Sequence, residues 1–401
     1  MNIHRLMQYF RRMEFYREQR RIIVTCSNRI APHLETEVRE LGFEPVRVFK
    51  TGVELLGDMQ DCMRLNLRLR CASQVLLQLH RFRATDPDQL YREASRIRWE
   101  ALIPADGYFS ITSNVNNLSV NNPLFANVKL KEAIVDRFWQ QTGKRPNSGP
   151  EQTRTVIHLY WQDEQAELFL DTSGETLSKH GYRKIPGKAP MLESLAAATL
   201  IASQWNRSAP LLNPMCGSGT IAIEAALLAS KRYPGLLRSN YGFMHVLGYL
   251  ADVYQEERAL LDRVVKEPAG LMLYATDISQ DAVNISMINA EIAGVKHLIQ
   301  FSRCDFSESP VPEADAGTVF INPEYGDRLG QEAELEATYK RIGDFMKQRC
   351  KGYHGYIFTG NLELAKKIGL KARRRLEFFN GKIDCRLLEY ELYSGSKIPK
   401  S

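Results

Sequence analysis

The segment Pro210-Leu211-Leu212-Asn213-Pro214-Met215-Cys216-Gly217-Ser218-Gly219-Thr220-Ile221 reads as the end of an apolar strand, a glycine-rich turn and the start of a helix. Gly217 and Gly219 allow a tight turn and let a ligand approach the backbone closely. The helix start offers N–H groups with no intrahelical partner, which suit the carboxylate of an amino-acid-like cofactor. Neither G-x-G-x-x-G nor G-K-[ST] is present, which argues against a nicotinamide dinucleotide and a nucleoside triphosphate.

Downstream, strand and helix patterns alternate. Residues 210–212, 271–276, 298–303, 317–321 and 355–358 read as strands, and 191–205, 220–231, 280–293 and 331–348 as helices. Such alternation implies right-handed βαβ units around a parallel sheet. Residues 232–269 form a long insertion. At the end, strands 375–379 and 387–393 flank Asn380-Gly381, a strong hairpin signal.

Three further positions fall at strand ends of this block. Asp277 can accept from ribose hydroxyls, or cap the helix beginning near Ser279. Asp305 can accept from an adenine amino group, or form a turn. Asn322-Pro323-Glu324-Tyr325-Gly326-Asp327-Arg328-Leu329 follows the fourth strand. Pro323 biases Asn322 towards an extended backbone, at the crevice where ligands bind in such sheets. An Asn oxygen and a main-chain carbonyl can both accept from one exocyclic amine, and Tyr325 can stack on a base. A plain N-P turn is the structural alternative.

Upstream lie two α+β blocks. Residues 22–65 hold strands at 21–26, 46–49 and 53–56 and a helix at 31–41. Residues 66–172 hold helices at 88–94 and 125–141 and strands at 108–113, 154–161 and 166–171, with an asparagine-rich loop expected at 114–122. Lys129, Lys131, Lys144 and Arg145 lie on or just after the second helix, on a solvated face or an RNA-binding one. Residues 1–21 form a basic extension with Arg5, Arg11, Arg12, Arg17, Arg20 and Arg21, and Ile3, Leu6, Met7, Phe10 and Met13 at helical spacing. It lacks the apolar run of a signal peptide.

Composition narrows the class. Of 401 residues, 44% are hydrophobic and 25% charged, as in a soluble globular chain, and the net charge of +6 permits a polyanionic partner. No apolar run reaches the ~18–20 residues of a membrane span. The seven cysteines form no C-x-x-C pair, so reduced thiols in a cytoplasm are expected, and neither zinc nor any other metal. The eight histidines show no ligand spacing.

Taken together, the Asn213–Ile221 turn, the Asp277 strand and the Asn322–Gly330 loop resemble the class I S-adenosylmethionine-dependent methyltransferases. More narrowly, the chain is similar to the bacterial THUMP-containing rRNA guanine-N2 methyltransferases, such as the N-terminal half of the bifunctional 23S rRNA enzyme. Asn127-Val128-Lys129-Leu130-Lys131, Leu170-Asp171-Thr172-Ser173-Gly174, Gly181-Tyr182-Arg183, Ala189-Pro190 with Glu193, and Asn380-Gly381 with Asp384-Cys385 carry the likeness further.

The resemblance implies an α/β architecture: a Rossmann-like methyltransferase sheet ending in an antiparallel hairpin over 185–401, preceded by a ferredoxin-like domain at 22–65 and a THUMP domain at 66–172. It implies S-adenosylmethionine as cofactor, held by Asn213, Pro214, Cys216, Gly217, Ser218, Gly219, Asp277 and Asp305. It implies Asn322, Pro323 and Tyr325 as the catalytic loop, and structured RNA, 23S rRNA in particular, as partner.

Two positions depart from the pattern. Asn213 stands where the family usually has Asp, and Glu324 where it has a second proline. Glu324 adds a backbone N–H and a carboxylate. That suits a new acceptor for a guanine edge, weaker base positioning, or a non-catalytic RNA-binding relative. An amine methyltransferase acting on another substrate also stays open.

Overall fold

The computed structural model describes residues 16–120, 122–185, 191–325 and 332–393. The chain forms two compact units, each discontinuous in sequence. One takes in the chain up to Cys26, Glu35–Leu177 and Arg238–Leu260; the other takes in Ser27–Leu34, Ser178–Leu237 and the chain from Leu261 onward. Among the described residues, no helix is long and apolar enough to cross a membrane.

The first unit is built on an eight-stranded sheet. Its strands are β1 (Arg20–Thr25), β2 (Arg47–Phe49), β3 (Gly52–Gly57), β4 (Gln74–Arg83), β5 (Tyr108–Asn116), β6 (Asn147–Ser148), β7 (Thr155–Gln162) and β8 (Gln165–Asp171), in the order β2-β3-β1-β4-β8-β7-β5-β6. β4 runs antiparallel to both β1 and β8, joining the two α+β blocks into one sheet. Residue 65, where the sequence reading divides the blocks, lies inside helix Met59–Arg68. An Asp58/Asp61 capping box starts that helix, and Cys62, Met63, Leu65 and Asn66 are buried.

Three differences from the sequence reading stand out here. The loop expected at 114–122 starts only at Asn117, because Asn114 and Asn116 continue β5 and pair with Tyr160 and Gln162 of β7. Asn122 then caps helix Pro123–Thr142, its side chain accepting from the Leu124 N–H at 3.0 Å. In the basic extension, Arg20 joins Arg21 in the strand expected from residue 21, and Arg21 is paired with Glu54 at 3.0 Å and with Glu167. Residues 1–15, and with them Arg5, Arg11 and Arg12, lie outside the described residues.

Part of the 232–269 insertion also belongs to this first unit. Arg238 donates to the Ser173 carbonyl at 3.0 Å and the Thr176 carbonyl at 3.1 Å. Gly242 lies so close to the 171–174 turn that a Cβ there would sit 2.3 Å from the Asp171 carbonyl oxygen. Tyr241, Phe243, Tyr249 and Tyr254 form an aromatic cluster alongside.

The second unit carries a seven-stranded sheet. Its strands are β9 (Leu211–Pro214), β10 (Leu273–Asp277), β11 (Ile299–Arg303), β12 (Thr318–Ile321), β13 (His354–Thr359), β14 (Arg374–Asn380) and β15 (Ile383–Glu391). The order is β11-β10-β9-β12-β13-β15-β14. The first five are mutually parallel, and β15 is antiparallel to both its neighbours. β9 and β12 are buried along their whole length, as both-face-covered parallel strands require. This is the expected Rossmann-like sheet closed by an antiparallel hairpin. Sheet order reverses beside β9, so the C-terminal ends of β9, β10 and β12 face the crevice where ligands bind in such folds.

Candidate functional site

The turn after β9 is forced into left-handed backbone at three positions: Met215 (φ 57°), Gly217 (φ 57°) and Gly219 (φ 80°). At Gly219 glycine is required twice over, because a Cβ would also sit 2.7 Å from the Ser286 side chain. At Gly217 the same atom would meet nothing within 4 Å, so the turn is open on that side. Gly219 then starts helix Thr220–Ala229. Ser218 keeps its hydroxyl beside Thr220 at 3.2 Å, and its carbonyl accepts from Asn289 Nδ2 at 3.2 Å.

The turn is tied to β10. The Cys216 N–H donates to the Thr276 carbonyl at 2.9 Å. The Gly217 N–H donates to Asp277 Oδ2 at 3.0 Å, and the Ser279 N–H to Asp277 Oδ1 at 2.9 Å. The helix cap is Ser279, not Asp277. Asp277 thus presents a fixed, half-buried carboxylate at the strand end. Burial pushes the Cys216 thiol up to about 12, so it is a packing residue rather than a thiolate.

Asn213 links the turn to β12. It is buried, and its Nδ2 donates to the Phe320 carbonyl at 2.9 Å, while its Oδ1 is buried with no partner among the described residues. Strands β9 and β12 are direct neighbours, with Leu211 opposite Thr318 and Leu212 opposite Val319. The loop that leaves β12 therefore starts beside the glycine turn.

In that loop, Asn322 is half-buried and its Oδ1 has no partner among the described residues. Pro323 is buried and Glu324 exposed. Tyr325 is held by its hydroxyl, which accepts from Asn380 Nδ2 at 2.9 Å, and its ring meets Phe358 edge-on at 6.5 Å. Burial pushes its phenol up to about 12. The expected stacking residue is thus anchored at the tip of the β14–β15 hairpin. Gly326, Asp327, Arg328 and Leu329 lie outside the described residues, as do Ala189 and Pro190.

Asp305 serves its own turn. Its Oδ1 accepts from the Ser307 N–H at 3.0 Å, the Ser307 hydroxyl at 2.6 Å and Arg341 at 2.7 Å. Burial opposes its ionisation, but these bonds hold the carboxyl below the usual range. The other oxygen takes none of the three.

Several residues at or behind this site carried no sequence signal strong enough to name them. Ile278 is 66% exposed directly after Asp277. Asn289, besides holding Ser218, reaches the Ile185 carbonyl at 3.3 Å. Behind the turn, Glu224 of helix Thr220–Ala229 is fully buried with His180 Nδ1 at 2.7 Å and the Tyr182 hydroxyl at 2.8 Å. A single glutamate in an otherwise apolar helix was the available clue, since a buried carboxylate requires partners.

The basic candidates belong to the first unit. Lys129 lies 3.4 Å from Asp88 and over the Phe125 ring. Lys131, Lys144 and Arg145 are exposed, with Arg145 over the half-exposed Trp139 ring at 5.3 Å. Elsewhere, the basic run before the hairpin is partly spent on structure, since Arg373 and Arg374 both pair with the buried Glu389.

Comparison with known proteins covers most of the chain. Residues 180–389, just over half of the chain, match the model of the RMKL-like, methyltransferase domain; residues 21–76 match the RlmL ferredoxin-like domain, and 84–171 the THUMP domain. The chain is 34% identical over 383 residues to the ribosomal RNA large subunit methyltransferase K/L of Syntrophotalea carbinolica, covering 93% of this chain and 53% of that protein. It is 36% identical over 379 residues to the enzyme of the same name from Allochromatium vinosum, covering 92% and 51%. The chain thus spans about half the length of these curated relatives. Its fold is similar to that of SMU.472, solved in complex with SAH (TM-score 0.85, 24% identity, 94% of this chain and 100% of that one). It is also similar to a possible methylase from Clostridium difficile 630 (TM-score 0.84, 27% identity, 96% and 100%).

Proposed function

We infer what this chain does from the family it belongs to, the RMKL-like methyltransferases. It is an S-adenosylmethionine-dependent RNA methyltransferase that forms N2-methylguanine in 23S rRNA. The names of its relatives, ribosomal RNA large subunit methyltransferase K/L, support the substrate class. Its seven free thiols suit a reducing cytoplasm.

One observation carries the reading. Asn322 Oδ1, a buried acceptor with no donor among the described residues, lies at the end of β12, the direct neighbour of the strand that leads into the open glycine turn. A buried polar atom left unpaired at this place in the crevice is available to a ligand donor.

The residues present fit the cofactor. The open side of Gly217, the start of helix Thr220–Ala229 and the Asp277 carboxylate would hold its amino-acid and ribose ends. Ile278 offers an apolar surface, and the second oxygen of Asp305 an acceptor, for its base. Bound there, S-adenosylmethionine supplies an electrophilic methyl for direct displacement by an amine.

The chain's part is alignment. Asn322 Oδ1 and the Pro323 carbonyl accept from the exocyclic amine and turn its lone pair towards the methyl. Tyr325, fixed through Asn380, sets the height of the loop. A guanine within a duplex cannot reach this crevice, so the target is unpaired or flipped out. Lys131, Lys144 and Arg145 are the proposed phosphate contacts, beside Lys129.

Incubation with unmodified 23S rRNA and methyl-labelled S-adenosylmethionine, followed by nucleoside analysis, tests this. Labelled N2-methylguanine is expected from the wild type. Asn322→Ala is expected to lose transfer while calorimetry still registers cofactor binding. Full transfer in that variant, or label in another nucleoside, overturns the reading.

A further inference from the structure

We propose that Glu324 is an added specificity-determining residue of the acceptor site in this chain and that its carboxylate reads the N1–H of guanine. The proposal rests on the function inferred above, in which an exocyclic amine of RNA is the acceptor.

The loop is fixed on both sides of Glu324. Before it, Pro323 is buried. After it, the Tyr325 hydroxyl is held by Asn380 at 2.9 Å. The carbonyl of Glu324 itself accepts from the Tyr339 hydroxyl at 3.3 Å, and that hydroxyl lies 2.9 Å from Thr359 Oγ1. Tyr339 is fully buried, so residue 324 is pinned to the core through its backbone. Its side chain is exposed, and among the described residues its carboxylate has neither a hydrogen bond nor an ion pair. A main chain fixed in this way, beneath an acid that no described residue engages, leaves the carboxylate available to a ligand.

The chemistry of the neighbouring groups then selects the base. Asn322 offers an oxygen with no partner among the described residues, Pro323 a carbonyl and Glu324 a carboxylate, so three successive residues each bring an acceptor. Of the four RNA bases, guanine alone has adjacent donors on its pairing edge, the N1–H and the N2 amine. Adenine and cytosine put a ring acceptor beside their amines, which a carboxylate would repel. Uracil has one N–H between two carbonyls. Asn322 and Pro323 take the amine, and Glu324 takes N1–H in a charge-assisted bond. A site built for that bond discriminates strongly against an analogue that lacks it.

The test uses the full chain and a ligated rRNA transcript carrying either guanine or 2-aminopurine at the nucleotide that the wild type methylates. 2-Aminopurine keeps the amine but has no N1–H. The wild type is expected to favour guanine by about tenfold or more in kcat/KM, the range of one hydrogen bond to a charged group. In Glu324→Ala the guanine rate falls by a similar factor, and the preference shrinks to within about twofold. Glu324→Gln, which keeps one neutral acceptor, falls between. A Glu324→Ala variant that retains the wild-type preference overturns the proposal. So does one that loses cofactor binding in calorimetry or thermal stability, which would make Glu324 structural. A wild type that forms no N2-methylguanine overturns the inferred function as well, and is told apart by the absence of product before any variant is made.

Discussion

At the scale of single residues, Asn213 explains its own departure from the expected Asp. Its Nδ2 donates to the Phe320 carbonyl at 2.9 Å in a buried setting. An ionised carboxylate has no proton to donate and would face that carbonyl oxygen unfavourably. Asn213→Asp is therefore expected to destabilise the chain by about 1–3 kcal/mol at neutral pH, the range for a buried group left unsatisfied. The sign with pH follows: burial raises the new carboxyl, and its protonated form can donate, so the loss shrinks as pH falls. Denaturant unfolding at pH 7 and pH 5 reads both. Gly219→Ala combines a left-handed backbone with a Cβ 2.7 Å from Ser286. About 2–4 kcal/mol is expected, as loss of thermal stability together with weaker cofactor binding. The glycines of this turn were legible in the sequence because glycine is the residue such backbone demands. The Asn213–Phe320 bond was not, because Phe320 contributes only a carbonyl, which every residue has.

At the scale of elements, the Asn380-Gly381 signal located a hairpin correctly but said nothing of its second task. The hairpin tip holds the acceptor loop, through Asn380 to the Tyr325 hydroxyl. The hairpin is itself braced by Ser27–Leu34 of the same unit: Arg29 lies 4.3 Å over the Phe379 ring and 2.5 Å from Asp384, and His33 stacks on Phe378 at 5.4 Å. Under the proposed function, Asn380 is thus a positioning residue. Asn380→Ala is expected to lower kcat by about three- to tenfold with cofactor affinity unchanged, since small misplacement of a reacting group is costly. Asn380→Asp separates positioning from mere stability, because the phenol can donate to a carboxylate, so kcat recovers. A KM effect alone, or no rescue, counts against positioning. Helix Met59–Arg68 and strand β4 went unread for a different reason. Their apolar residues suit either element over a short window; pairing with β1 and β8 decides for β4, and the Asp58/Asp61 capping box for the helix.

At the scale of the molecule, periodicity marked the 232–269 segment as an excursion but not its destination. Arg238–Leu260 packs into the first unit because Arg238 finds carbonyls on the 171–176 turn, and Gly242 leaves room for it to approach. Such pairing between distant segments has no local sequence signature. The docking point has a titratable centre. Asp171 is fully buried and accepts from the Ser173 N–H at 3.0 Å, the Gly174 N–H at 3.2 Å and Gln74. Burial raises its carboxyl from 3.8 to about 7, against the pull of those bonds and of Arg238. A carboxyl raised on folding contributes stability that is full below its unfolded value and is lost as pH rises through the folded one. Its contribution therefore declines between about pH 4 and 7, and the turn should loosen locally as Asp171 ionises. Hydrogen exchange at the Ser173 and Gly174 amides, corrected for intrinsic rate, is expected to lose protection as pH rises from 6 to 8. Asp171→Asn keeps an acceptor oxygen for both amides and removes the titration, so its protection should be flat over the same range. Equal slopes in the two proteins would show that Asp171 does not govern the turn.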